Sequence, residues 1–198
     1  MMRKFLMAVA VTFTVLPALA QTVHVGIKTD LTFSSISGNG MSCSLQTGYQ
    51  AGGFAELSLN RKWSLQPELL FSQKTIKRAD DFGVYYVNTA SSSARQMLKL
   101  SYISLPLLVS YKINNFFTVS AGPQYSYLVY DDENLLKGGG DAFKKNDVAL
   151  VAGLQLNLSP SFRVYTRYNH GLVNVNNIDN RYKWSSRQIQ VGVGMHLF

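Results

Sequence analysis

The sequence predicts an all-β chain. The expected architecture is an eight-stranded antiparallel up-and-down transmembrane β-barrel, preceded by a cleavable signal peptide. Three observations lead there. Apolar and polar residues alternate with a period of two over eight segments. The connections between those segments are short and long in turn. The last segment, residues 187–198, alternates as far as the final Phe, where the exposed edge of an open sheet would fray or aggregate. Closing the sheet in lipid removes that edge and gives the apolar face a solvent.

Bulk properties narrow the choice. Hydrophobic residues make up 46% of the 198, and after residue 20 no apolar run is long enough for a membrane-crossing helix. Strands that alternate can still cross. Residues 1–20 read as an export signal: a basic start at Arg3 and Lys4, an apolar core from Phe5 to Leu16, the breaker Pro17, and Ala18-Leu19-Ala20 as an A-x-A site. Cleavage between Ala20 and Gln21 leaves 21–198 as one barrel domain, the alternative being a retained anchor. No Cys follows the site, which argues against a lipoprotein. Losing Arg3 and Lys4 takes the formal charge from +8 to +6. Export and the absence of a basic run with interleaved aromatics exclude nucleic acid as a partner, and the positive charge is better matched to anionic lipid head groups. Cys43, the single cysteine, allows no internal disulfide.

The first strand sets Val23, Val25, Ile27, Thr29, Leu31 and Phe33 against His24, Gly26, Lys28, Asp30 and Thr32. The second sets Tyr49, Ala51, Gly53, Ala55, Leu57 and Leu59 against Gln50, Gly52, Phe54, Glu56 and Ser58. The third runs from Trp63 to about Lys74, with Leu65, Pro67, Leu69 and Phe71 on its oily face. The fourth, Leu98 to Ile113, is regular from Ser104 onward, but Lys99 and Ser101 fall on the wrong face, which calls for a bulge or an exit from the hydrocarbon zone. The fifth covers Phe117 to Tyr127, the sixth Val148 to Leu158, the seventh Phe162 to Asn169. The eighth has Ile189, Val191, Val193, Met195 and Leu197 on one face.

Asn60-Arg61-Lys62, Asn114-Asn115 and Ser159-Pro160-Ser161 read as tight turns. The connections 34–47, 77–96, 131–146 and 174–186 are long and polar. Short periplasmic turns and long outer loops produce this asymmetry in a membrane barrel; a soluble sandwich gives no reason for it. Aromatics collect where two membrane interfaces would lie. Trp63, Tyr111, Phe116, Phe117, Phe162 and Phe198 fall at the periplasmic ends, and Phe33, Tyr49, Tyr102, Tyr125, Tyr127 and Tyr168 nearer the outer ends.

The polar faces place Lys28, Lys74, Arg163 and Arg167 in the lumen with Asp30, Glu56 and Glu68. Eight strands leave room only for side chains, so both signs together predict a mutually neutralising ion-pair network rather than an ion path. Gly26, Gly52, Gly122, Gly153, Gly171, Gly192 and Gly194 share that face, where small residues relieve crowding. Gly138-Gly139-Gly140 lacks the GK[ST] of a phosphate loop. His24 and His196 are expected to pack or hydrogen-bond near the periplasmic end. His170 is expected on the lipid side near the outer interface, without a Ser partner on its face. No metal-ligand spacing appears, so neither catalytic residues nor a cofactor is expected. Val84-Tyr85-Tyr86-Val87, in the second long connection, either extends its hairpin or meets a partner.

Four stretches carry a family resemblance: Leu65-Gln66-Pro67-Glu68-Leu69-Leu70-Phe71-Ser72-Gln73-Lys74, Tyr102-Ile103-Ser104-Leu105-Pro106-Leu107-Leu108, Ala121-Gly122-Pro123-Gln124-Tyr125 and Arg167-Tyr168-Asn169-His170-Gly171-Leu172. The chain resembles the PorT-type outer-membrane β-barrel family, in which the fourth-strand motif usually holds an acidic residue; here it is Ser104. The resemblance implies the outer membrane of a Gram-negative bacterium, outer-membrane lipid and lipopolysaccharide as surroundings, and the barrel-assembly machinery as a partner. PorT itself is implicated in protein secretion. Expected functions are therefore a structural or surface-interaction barrel working through its long loops, a component of a secretion assembly, or a lipid-modifying enzyme around His170. A soluble periplasmic barrel is a fourth reading. At the terminus, Leu197 and not Phe198 is in phase with the oily face. Either a late bulge turns Phe198 outward, or Leu197 ends the lipid face and Phe198 caps the lumen.

Overall fold

Period-two patterning gives each segment an oily and a polar face, and a strand buried in lipid needs hydrogen-bonding neighbours on both sides. In a computed structural model the segments form β1 (Thr22–Ser37), β2 (Gln46–Ser58), β3 (Trp63–Lys77), β4 (Met97–Lys112), β5 (Phe117–Asp131), β6 (Asn146–Asn157), β7 (Phe162–Gly171) and β8 (Ser185–His196). The structure describes residues 22–37, 45–77, 97–131, 144–174 and 185–197. The expected signal peptide with its Ala20–Gln21 junction, Cys43, the Val84–Val87 patch, Gly138–Gly140 and Phe198 lie outside these residues.

Each strand pairs antiparallel with its neighbour in sequence, and β1 also pairs with β8, so the sheet is a closed barrel. The pairings from Thr22 run through Ser58, Ser64, Ser110, Ser120, Gly153, Arg167 and Gln190 and return to β1 at Thr32, ten residues along. Such a stagger over eight strands tilts them by roughly 45° to the barrel axis. Leu31, Leu69, Leu105, Leu150 and Val191 are exposed around the outside, while Lys28, Gln50, Glu68, Ser104, Gln124, Arg167 and Gln190 are buried inside. This is the inverse of a soluble protein, and hydrocarbon is the solvent that stabilises it.

The three tight turns are built alike. Asn60 Oδ1 accepts from the backbone N–H of Lys62 and Trp63, both at 2.9 Å. Asn114 Oδ1 accepts from Phe116 at 2.9 Å and Phe117 at 2.8 Å. Ser159 Oγ accepts from Phe162 N–H at 3.0 Å. A short polar side chain thus supplies the partner that a tight turn denies its own backbone.

Several expectations need correction. The outer hairpins are longer than their patterning indicated: the β1–β2 ladder continues to Ser34 and Gln46, and β5 runs on to Asp131. The irregularity expected in the fourth strand resides in its partner. Ser101 pairs with Tyr130 and Tyr102 with Leu128, leaving Val129 as the extra residue on β5. Val129 and Tyr130 are consequently both exposed. Tyr102, in phase with Leu100 and Ser104 on the lumen face of β4, is 4% exposed and does not join the outer aromatics. Leu57, assigned to the lipid face, is only 5% exposed and lies between Val23 and Leu65 in the two ladders.

Two glycines test the packing. A methyl group on Gly192 would meet the Tyr165 hydroxyl oxygen at 2.8 Å and the Thr29 carbonyl oxygen at 2.5 Å. On Gly53, which faces outward, the nearest atom would be 3.6 Å away. Gly192→Ala is therefore expected to lose about 1–3 kcal/mol of stability. Gly53→Ala should stay within about 0.5 kcal/mol of the parent chain. Urea unfolding in lipid vesicles, followed by tryptophan fluorescence, measures both.

Candidate functional site

Lumen-facing positions recur at every second residue, so the stagger of the strands decides which side chains share a level. One level centres on Glu68 of β3. Its carboxylate accepts from Lys28 Nζ at 3.1 and 3.3 Å, from Arg167 Nη1 at 2.9 Å and Nη2 at 2.8 Å, and from Gln66 Nε2 at 2.6 Å. The side chains of Lys28, Glu68 and Arg167 are at most 4% exposed. Two cations on one carboxylate would leave a net charge, and Asp30 of β1 balances it. Asp30 Oδ2 accepts from Tyr165 Oη at 2.7 Å and from Gln50 Nε2 at 3.5 Å. The Tyr165 ring has Lys28 Nζ 4.1 Å from its centroid and Arg167 Cζ at 4.8 Å, so its π face takes part in holding both cations.

A second level closes the periplasmic end. Arg163 donates from Nη1 and Nη2 to Glu56 Oε2, both at 3.0 Å, and from Nη1 to Gln155 Oε1 at 3.3 Å. Ser64 Oγ donates to Glu56 Oε1 at 3.2 Å. The His196 ring lies directly against Arg163 and reaches Glu56 at 3.2 Å. His24 stacks on His196 with centroids 5.2 Å apart. Phe54, buried in the lumen, carries Arg163 Cζ 4.9 Å above its ring.

The seven charged residues expected to form one lumen network are thus divided. Lys28, Asp30, Glu68 and Arg167 share the central level, and Glu56 pairs with Arg163 below. Lys74 joins neither. Its ammonium lies 5.0 Å over the Tyr102 ring, and Asp147 is the carboxylate whose charge reaches it. Lys74 is six residues beyond Glu68 on the same face, about 20 Å along the strand, too far for their charges to meet. Tyr165 was not among the expected network residues. Its signal was an aromatic hydroxyl on the polar face between Arg163 and Arg167. Ser104, where the resemblance leads one to expect an acid, shares a 2.8 Å hydrogen bond with Ser126. His170 stacks with Tyr168, ring centroids 6.4 Å apart. Among the described residues, no group of three or more His, Cys, Asp and Glu side chains is placed to hold a metal ion.

Of the aromatics expected at the interfaces, Tyr102 lies in the lumen, and seven others are found at the outer surface. Trp63, Phe117, Tyr125, Tyr127, Phe162 and Tyr168 are exposed, and Tyr111 is half-buried against Trp63 at 4.8 Å between rings. The Tyr125 hydroxyl donates to Asn146 Oδ1 at 2.5 Å.

A closed eight-stranded barrel, apolar outside and charged inside, defines an integral outer-membrane β-barrel protein. Residues 19–177 match the model of the outer membrane protein beta-barrel domain family, and the chain belongs to that family. No curated protein matches it. Among solved structures, neisserial surface protein A (NspA) is similar at 17% identity and a TM-score of 0.53, covering 88% of this chain and 99% of that one. OprG from Pseudomonas aeruginosa shares 12% identity at a TM-score of 0.52, over 90% and 97%. Ail of Yersinia pestis shares 15% at 0.51, over 88% and 98%. At these identities the likeness is one of fold; membership of the outer membrane protein beta-barrel domain family places the protein in the outer membrane of a Gram-negative bacterium.

Replacing Glu68 with Gln leaves Lys28 and Arg167 buried beside each other without their counter-charge. The expected loss is about 3–5 kcal/mol. Replacing the set together, as Lys28→Met, Asp30→Asn, Glu68→Leu and Arg167→Met, removes every charge of this level and should recover most of that loss. Equilibrium unfolding in lipid vesicles distinguishes the two. Tyr165→Phe, which removes one donor from Asp30, should cost about 1–3 kcal/mol in the same assay.

Proposed function

We propose that this chain is a non-catalytic barrel that works at the cell surface, through the long segments joining β1 to β2, β3 to β4, β5 to β6 and β7 to β8. One observation carries the reading. Lys28, Glu68, Arg167 and Tyr165 meet across the lumen as one buried, mutually bonded level. A lumen filled in this way leaves the rims and the long connections as the places for contact. In favour of contact with other molecules, those connections hold both charge signs, among them Arg78, Asp80, Asp81, Lys137, Asp141, Arg181 and Lys183, together with Val84-Tyr85-Tyr86-Val87. The similar barrel Ail has been crystallised with the heparin analogue sucrose octasulfate. In this chain the near balance of charge in the long connections favours a protein surface of mixed polarity over a polyanion. The proposal includes an export signal over residues 1–20 ahead of the barrel domain. A PorT-like part in secretion rests on the four strand motifs alone.

Two measurements test this. The purified barrel in planar bilayers should carry no steady ion current; an open-channel conductance would set the reading aside. In intact cells, a photoreactive residue at Val84 or Tyr182 should give discrete crosslinked adducts. Those adducts should disappear when every other residue of 78–96 and 175–184 is replaced by Gly or Ser and the photoreactive residue is kept. Secretion unchanged after deletion of the gene would remove the PorT-like role.

A further inference from the structure

The outer face is not uniformly bulky. Ala121 of β5 and Ala152 of β6 are direct cross-strand partners. Ala121 also pairs with Val109, and Tyr111 pairs with both Trp63 and Val119. Two small side chains therefore sit beside a wall of two large rings. The result is an outward-facing apolar groove of about 620 Å³ lined by Trp63, Val109, Tyr111, Val119, Ala121 and Ala152. Its lining offers almost nothing polar, as contact with a hydrocarbon chain requires.

The end of the groove is charged. Trp63 follows directly on the Asn60–Lys62 turn, and Lys62 Nζ lies 5.9 Å over the Tyr111 ring. That turn carries Arg61 and Lys62, and none of the three tight turns contains an Asp or Glu. A second apolar groove of about 440 Å³, lined by Ile27, Thr29, Ala51, Phe162, Val193 and Met195, provides a contrast. The turn beside it, Ser159-Pro160-Ser161, is uncharged. Apolar depth, an aromatic ledge at interface height and a cation on that ledge occur together only at the first of these two grooves.

We propose that this groove is a site for an anionic phospholipid of the periplasmic leaflet. One acyl chain lies on Ala121 and Ala152 against the Trp63–Tyr111 wall, and the head-group phosphate is held at Lys62 and Arg61. Interfacial aromatics fix the depth of the head group, and the two cations favour a lipid with net negative charge over a zwitterionic one. The site does not depend on the long outer connections, so it stands or falls separately from a surface role.

The chain has two tryptophans, so Trp184→Phe leaves Trp63 as the reporter at the groove. The full barrel is reconstituted in phosphatidylcholine vesicles containing either brominated phosphatidylglycerol or brominated phosphatidylcholine, and quenching of Trp63 is titrated. The anionic lipid should associate more strongly, by on the order of five-fold for each cation engaged. Replacing Arg61 and Lys62 with Ser should bring the two lipids to equal quenching. The exposed turn keeps its Asn60 bonds to backbone N–H groups, so these replacements leave the fold intact. Filling the groove with Ala121→Leu and Ala152→Leu should weaken quenching by both lipids. Equal quenching in the Trp184→Phe chain overturns the site. So does a preference that survives loss of Arg61 and Lys62, or quenching unchanged by the two leucines.

Discussion

The structure depends on one buried carboxylate. Glu68 sits where eight strands leave no room for bulk water, and an isolated charge there would be untenable. Lys28 from β1, two strands away, and Arg167 from β7, directly across the lumen, bring it two cations. Asp30 offsets the second of these, and Tyr165 holds Asp30 while offering its ring to both cations. Three strands, β1, β3 and β7, are thereby tied across the interior as well as around the sheet. In a barrel whose outer face gains nothing from burying apolar surface against itself, this polar level takes the place of a hydrophobic core.

Space for these side chains comes from glycine on the neighbouring strand. Gly153 is the cross-strand partner of Arg167, Gly194 of Arg163, and Gly192 of both Asp30 and Tyr165. Gly26 is the partner of Phe54, whose ring occupies the place of a missing side chain. Long residues and glycines therefore alternate around the lumen as paired features. This explains why glycine, generally unfavourable in strands, is frequent on the polar face.

The outer face follows a different rule. Bulky aliphatic residues meet lipid over most of it, and the aromatics gather near the strand ends, as interfaces require. Where Ala121 and Ala152 interrupt that surface, the barrel gains shape as well as hydrophobicity. At its central level the lumen is filled by its own charged side chains.

Alternation alone determined the eight strands, their inward and outward faces, the three tight turns and the closure of the sheet. Each of these is local, because period two and turn residues act within a few positions. The grouping of the charges was not legible. Alternation puts Lys74 on the same face as Glu68, yet the two sit about 20 Å apart along the strand, and neither buried Asp147 nor Tyr165 is marked by sequence as part of the charged lumen. The difference lies in the stagger. A ten-residue offset around the barrel brings Glu68 to Arg167 and Glu56 to Arg163 across separations of 99 and 107 residues. The extra residue at Val129, which leaves Val129 and Tyr130 both facing outward, likewise depends on how β5 meets β4. Sequence period decides the face a side chain takes; only the closed barrel decides the level at which it sits and the partner it finds there.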